Sequence, residues 1–359
     1  MRWLRVLVLW YSCIMVVVGD ECRNHYCSRC GCKERYSACD IPYSHKDPYF
    51  GVNAKSGAIR LYNNCSLKQS VWIQRNITLR IVGPDGTPTI DGGAVTDRAR
   101  GMYLLYGVRM FLVYGKLTLK NIHLTHANTY GNAFGGALTV YGGGAVTVTN
   151  SLFTYNYAGI DWDVPEDQRG LSVGGAAIVV YEGSGEFINC TVSRNVGWRG
   201  GGVAIQNGNA LFTNCSFTHN KANLAGGAVY VESGTLTFRH CLVAYNSGLW
   251  VDKKNIHDWD ASNIGIVGGA GFYIGMGEVV CVHCTFLNNS ASEWKSKAIR
   301  WVDAYVADSG SMFINTDFRN HPSTYSTIIG MAGSCSSDTC SRQGGFRSTG
   351  VGCTNSPST

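Results

Sequence analysis

One composite phrase recurs along this chain and leaves room for few folds. It runs Gly-Gly-small, a short apolar strand, a glycine turn, a second strand, then Asn-Cys-x-Phe-x-x-Asn. The first copy opens at Gly135-Gly136-Ala137-Leu138 and closes at Asn150-Ser151-Leu152-Phe153-Thr154-Tyr155-Asn156. Others open at Gly174-Gly175-Ala176, Gly200-Gly201-Gly202, Gly226-Gly227-Ala228 and Gly268-Gly269-Ala270. They close at Asn195, Asn220, Asn246 and Asn289, and a degenerate sixth ends at Asn315-Thr316-Asp317-Phe318. Asn214 follows Asn189 by 25 residues and His240 follows Asn214 by 26. A helix pair needs more chain, and the segments are too short and glycine-rich for helices. Three strands and three turns fit one coil of a parallel β-helix. Its exposed strand edges are satisfied only by another coil stacked about 4.8 Å away.

Side-chain parity agrees. Two residues before each corner stand Val148, Phe187, Phe212, Phe238, Cys281 and Phe313; three after it stand Phe153, Val192, Phe217, Val243, Phe286 and Phe318. Both sets face inward if the corner Asn or His absorbs a change of phase. Asn tolerates the left-handed conformation this needs, and stacked Asn amides can bond along the axis. Cys190, Cys215, Cys241 and Cys284 fall in the same interior as buried thiols, with Cys281 and Cys284 the best candidates for an exception. Upstream, Asn76 to Gly83, Thr89 to Gly93, Val108 to Val113 and Lys116 to Ile122 carry strand and turn chemistry.

Composition narrows the alternatives. Glycine is 45 of 359 residues, against roughly 7 % in average proteins, without the three-residue period of collagen. Hydrophobic residues make up 45 %, so wholesale disorder is excluded. The net charge of +6 is scattered, which argues against nucleic acid as a partner.

Residues 1–19 read as a secretory signal. Arg2 and Arg5 precede the apolar stretch Val6 to Val18, with a cleavage site before Asp20. A signal anchor is the competing reading. No later run reaches the roughly 20 apolar residues needed to span a bilayer. A secreted or cell-surface chain fits the cysteines: without Cys13, 14 of the 15 remain. Cys22, Cys27, Cys30, Cys32, Cys39 and Cys65 cluster near the start, and Cys335, Cys340 and Cys353 lie near the end. Cys27-x-x-Cys30-x-Cys32 beside His25 has zinc-like spacing, but a disulfide knot suits an extracellular setting better. No pairing is assigned. The expected organisation is a signal (1–19), a Cys-rich cap (20–49), the β-helix (50–331) and a Ser/Gly/Cys-rich tail (332–359). Five sequons occur. Asn64, Asn76 and Asn288 are the glycosylation candidates, while Asn189 and Asn214 are expected to have their amides engaged in the ladder.

On these repeats the chain resembles the right-handed parallel β-helix (pectate-lyase-like) superfamily. Gly226-Gly227-Ala228-Val229, Phe153-Thr154-Tyr155-Asn156, Phe217-Thr218-His219-Asn220 and Phe286-Leu287-Asn288-Asn289 are similar to repeats of polymorphic outer-membrane proteins. The resemblance spans about residues 75 to 320. It implies an all-β right-handed solenoid and, from the bacterial family, surface adhesion carried on a C-terminal membrane barrel. No barrel strands are read before Thr359.

Insertions that leave one corner of a solenoid gather on one face, usually the working one. Ala158 to Val173 carries Asp161-Trp162-Asp163, and Ser247 to Val267 carries Trp250 and Asp258-Trp259-Asp260. Trp198-Arg199 and Trp294 share that corner, so five of the nine Trp converge. Aromatic faces stack on sugars, and the carboxylates can hold hydroxyls or calcium. The competing reading has these Trp anchoring the loops. The sequence therefore leads to a recognition or adhesion protein for glycan or matrix, with no cofactor required. A polysaccharide lyase or glycoside hydrolase and a ligand-free spacer are the alternatives. Inverting glycosidases need two carboxyls roughly 6.5–9.5 Å apart, whereas loops three coils apart start roughly 14 Å from one another. Asn315-Thr316-Asp317 matches a polygalacturonase triplet, but the other signatures of those enzymes are missing and Asn315 falls on a corner. His219, His240 and His283 read as ladder members rather than metal ligands.

Overall fold

The computed structural model describes residues 37–47, 51–94, 96–97, 102–103, 107–129, 135–158, 177–248, 269–291, 304–306, 311–319, 328–330 and 334–336. One coil shows how the chain is built. Leu138–Tyr141 lies in sheet A, Ala145–Thr149 in sheet B, Leu152–Thr154 in sheet C and Tyr157–Ala158 in sheet D. Among the described residues these sheets have 11, 10, 10 and 6 strands. Neighbouring coils pair in parallel and in register: Leu138 with Ile178, Val148 with Phe187, Phe153 with Val192. The chain is a right-handed parallel β-helix. Sheet D, with several two-residue strands, adds a fourth side to the three read from the repeat. Parallel pairing reaches Ser334–Ser336.

At the N-terminal end, Tyr43–Asp47 pairs antiparallel with Gly51–Ala54, and a disulfide joins Cys39 to Cys65. This Cys-bearing cap covers the edge of the first coil. Cys22, Cys27, Cys30, Cys32, Cys340 and Cys353 lie outside the described residues, and Cys335 occupies the last described strand of sheet B.

The corner between sheets B and C behaves as its residue types require. Asn121, Asn150, Asn189, Asn214, His240, His283 and Asn315 have φ between 47° and 55°. The phase change there turns both flanking sets inward. Phe187, Phe212 and Phe238 are fully buried and stack at 4.4 and 5.2 Å between centroids, with Phe217 edge-on to Phe212 at 5.1 Å. Burying each such ring is worth about 2–3 kcal/mol. One residue past the corner, the Cys190, Cys215 and Cys241 thiols donate to carbonyls of Ile188, Thr213 and Arg239 at 3.3 Å. Ser151 and Thr316 donate likewise to Thr149 and Ile314, so this column selects a small donor rather than cysteine as such. Cys281 and Cys284 are also buried free thiols, not a disulfide.

A second left-handed corner follows sheet C. His126, Tyr155, Arg194, His219, Tyr245 and Asn288 have φ between 51° and 57°, although most of these residue types disfavour it. The compensation lies one residue on. Asn156, Asn195, Asn220, Asn246 and Asn289 are buried and stack amide on amide. Each of the first four donates its Nδ2 to the next Oδ1 at 2.9–3.0 Å. That same oxygen also accepts the donor residue's own main-chain N–H at 2.9–3.1 Å. The second Nδ2 hydrogen reaches a carbonyl of the preceding coil, as from Asn220 to Val192 at 2.8 Å. The corner asparagines form a thinner, more exposed ladder, from Asn189 to Asn150 (3.2 Å) and Asn150 to Asn121 (3.3 Å).

The glycine pairs open the strands of sheet A. Gly200, Gly226 and Gly269 have φ of 67–72°, and a Cβ there would collide with the carbonyl three residues ahead. Pairing of Val229 with Phe272 makes Gly269 the partner of Gly226, one residue later than the fifth repeat starts in sequence.

Candidate binding face

Sheet A is apolar on both sides, as a sheet covered on both faces should be. Inward stand pairs such as Val203 and Ile205. The outward Leu112, Thr139, Val179, Ala204, Tyr230 and Tyr273 are each at most 4 % exposed. The outer face therefore carries its own small core, in which Tyr230 and Tyr273 stack at 5.0 Å and 8°.

Arg199 closes this cluster. It ends the sheet D strand Val196–Arg199 and is only 7 % exposed. Its Nη1 donates to the Tyr230 hydroxyl at 3.3 Å, its guanidinium lies 5.4 Å from the Tyr230 ring centre, and its Nε is buried with no hydrogen-bond partner. Among the described residues no carboxylate pairs with it. Burial pushes the Tyr230 hydroxyl above its ordinary range, with Arg199 opposing the shift and Glu232 adding to it. Trp198, its neighbour, is also 7 % exposed.

Farther toward the N-terminus, half-buried Trp72, Tyr114 and Tyr141 stack at 6.0 and 5.1 Å. Arg109 lies 5.9 Å from the Tyr141 ring centre and donates to its hydroxyl, while its own Nε is buried without a partner. Two stretches of sheet A thus repeat one arrangement: stacked aromatic rings with a guanidinium across them. The sequence reading named Trp198 and Arg199 but missed Tyr230, Tyr273 and the Trp72 stack. Aromatic residues at outward positions of successive sheet A strands were the available signal.

Of the residues expected to gather at this corner, the structure places Trp198 and Arg199 together on sheet D, both buried. Asp161, Trp162, Asp163, Trp250, Asp258, Trp259, Asp260 and Trp294 lie outside the described residues. Among the described residues no group of three or more His, Cys, Asp or Glu is placed to hold a metal ion. Asn315 sits on the corner at φ 47°, and the buried Thr316 hydroxyl bonds main-chain carbonyls. Of the sequons, Asn64 is exposed and accepts the Thr89 N–H, Asn76 is exposed, and Asn288 is half-buried. Asn189 is exposed but its amide is engaged with Asn150; Asn214 is exposed.

Residues 168–321 match the family model for right-handed beta helix regions. The matched stretch of this β-helix includes Arg199, Tyr230, Tyr273 and the whole central run of the buried asparagine ladder. No curated protein and no solved structure matches the chain.

Proposed function

We propose that this β-helix is a secreted or cell-surface recognition protein that binds an acidic glycan, or a matrix bearing one, on the side of the solenoid where Arg199 ends its sheet D strand. The observation that carries the reading is Arg199, a buried guanidinium beside the Tyr230–Tyr273 stack with no carboxylate partner among the described residues. An unpaired buried charge is costly, and a ligand carboxylate or sulfate would relieve that cost. The Cys39–Cys65 disulfide supports an oxidising destination. The Asp-Trp-Asp segments at 161–163 and 258–260 supply further hydrogen-bonding and stacking groups to the same reading.

The experiment is a glycan array run beside reducing-end and unsaturated-product assays on acidic polysaccharides. The reading expects retention of an acidic glycan without turnover, weakened at least about tenfold in Arg199→Gln. Turnover that disappears on changing Asp161, Asp163, Asp258 or Asp260 to Asn would replace it with an enzyme. Retention of no glycan by a folded protein would leave a structural spacer.

A further inference from the structure

The second left-handed corner leaves a line of side chains on the outside of the solenoid. His126, Tyr155, Arg194, His219 and Tyr245 occupy one position on successive coils. Tyr155 and Tyr245 are 46 % and 47 % exposed, and Arg194 and His219 are exposed too. Their groups stack along the axis: His126 on Tyr155 at 6.1 Å, the Arg194 guanidinium 5.5 Å from the Tyr155 ring centre, His219 on Tyr245 at 5.2 Å. Arg194 Nη1 also donates to the Tyr155 hydroxyl at 2.8 Å.

The ground beside this ridge mixes hydroxyls with apolar side chains, Leu152, Leu242, Ala244 and Leu287 standing in the same outward columns of sheet C. Sheet C turns hydroxyls outward at Thr191, Ser193, Ser216 and Thr218, and the far corner carries amides and then the stacked His240 and His283 at 5.1 Å. From the coil of Asn121 to that of Asn289, no Asp or Glu occupies either corner or an outward position of sheet C. Carboxylates flank this stretch: exposed Asp85 accepts from the corner Asn121 Nδ2 at 3.4 Å, half-buried Asp317 pairs with Thr285 on the next strand of sheet C, and Asp91 is buried, 3.5 Å from His126 Nδ1. Between these flanks the ridge and sheet C carry cationic, aromatic and hydroxyl groups and no carboxylate, which is complementary to an anionic, hydroxyl-rich ligand.

We propose that this ridge and the adjoining face of sheet C bind a sulfated polysaccharide whose chain runs parallel to the solenoid axis. Arg194 and the imidazole N–H groups meet sulfates, the tyrosine and histidine ring faces meet sugar rings, and the Ser/Thr hydroxyls and Asn amides meet sugar hydroxyls. Nucleic acid fits less well, because phosphate backbones are held by several clustered Lys or Arg and the ridge has a single Arg. The site is distinct from the Arg199 cluster and does not rest on it.

The test is binding of dextran sulfate to the full chain at about 0.15 M salt, with neutral dextran and single-stranded DNA as comparison arms. Asn accepts the left-handed conformation, so the double variant Arg194→Asn/His219→Asn keeps the fold, checked by its unfolding midpoint. It should bind dextran sulfate about tenfold more weakly or worse. Tyr155→Asn and Tyr245→Asn should each weaken it as well. Lys116→Asn/Lys120→Asn, on the exposed face of sheet B, should leave it unchanged. Undiminished binding in the ridge variant, an equal loss in the sheet B variant, or single-stranded DNA bound as tightly as dextran sulfate would each overturn the proposal. Arg199→Gln, by contrast, should not alter it.

Discussion

Asn220 Oδ1 accepts two hydrogen bonds from Asn195, one from its side-chain Nδ2 at 2.9 Å and one from its main-chain N–H at 3.1 Å. Asn220 in turn donates to Asn246 and to the Val192 carbonyl. No other side chain of this size offers two donors and an oxygen with two lone pairs in that plane. Asn220→Ala should therefore strand several buried groups at once and lower stability by about 3 kcal/mol or more. Equilibrium unfolding in urea measures it, and a loss below about 1 kcal/mol would mean the ladder is dispensable.

Phe212 touches rings on three sides, Phe187, Phe238 and Phe217. Truncation to Ala should cost about 3–5 kcal/mol. The exposed Thr147 on sheet B should tolerate the same change within about 0.5 kcal/mol. Thermal unfolding of the two variants side by side tests the contrast; similar midpoints would contradict the assigned interior.

These two elements were not equally legible in the sequence. The phenylalanine columns follow from period and parity, and the corner asparagines announce a left-handed turn by residue type. The ladder at Asn156, Asn195, Asn220, Asn246 and Asn289 is visible as the last letter of Phe-x-x-Asn. Its burial depends on the left-handed residue before it, and Tyr155, Arg194, His219 and Tyr245 do not advertise that conformation. Sheet D was missed because two-residue strands have no periodicity to read. Arg199 was read as a loop-face cation; its burial against Tyr230 depends on a neighbour 31 residues away.

His123 sits with its ring nitrogens 3.2 Å from Thr89 Oγ1 and 2.7 Å from Thr154 Oγ1. Burial chiefly, and then His126, lower its pKa, while Asp91 opposes them. The unfolded chain thus takes up this proton at higher pH than the folded one. Stability from this group is complete above about pH 6.5 and is lost as pH falls through the folded value. Unfolding midpoints at pH 7 and pH 5 should differ less in His123→Gln than in the parent. An unchanged difference would assign the acid sensitivity elsewhere.

The five described free thiols, Cys190, Cys215, Cys241, Cys281 and Cys284, are all buried. Hydrogen bonds to neighbouring sulfurs, and then burial, raise Cys190 and Cys241, while burial chiefly raises Cys281. They should resist a thiol-titrating reagent at pH 8 in the folded protein and react fully in denaturant. Cys215→Ser should be well tolerated, since Ser151 already fills that column. Rapid labelling of Cys190 or Cys241 in the native protein would contradict the first expectation, and a large loss of stability in Cys215→Ser the second.

Opening the Cys39–Cys65 bridge releases a span of 26 residues. Replacing both cysteines by Ala should lower stability by about 3 kcal/mol on chain-entropy grounds. Comparing urea midpoints of variant and parent measures the effect, and equal midpoints would show that the cap is held by pairing alone.

The buried amides are separated by 25 and 26 residues where the coils are short, and by 39 and 43 where segments intervene. Their bonds are nevertheless the same length to within 0.1 Å. Loop length is thus uncoupled from the frame. Lineages, or protein engineers, can enlarge, exchange or remodel one intervening segment without retuning the others, so the segments can diverge while the scaffold stays constant.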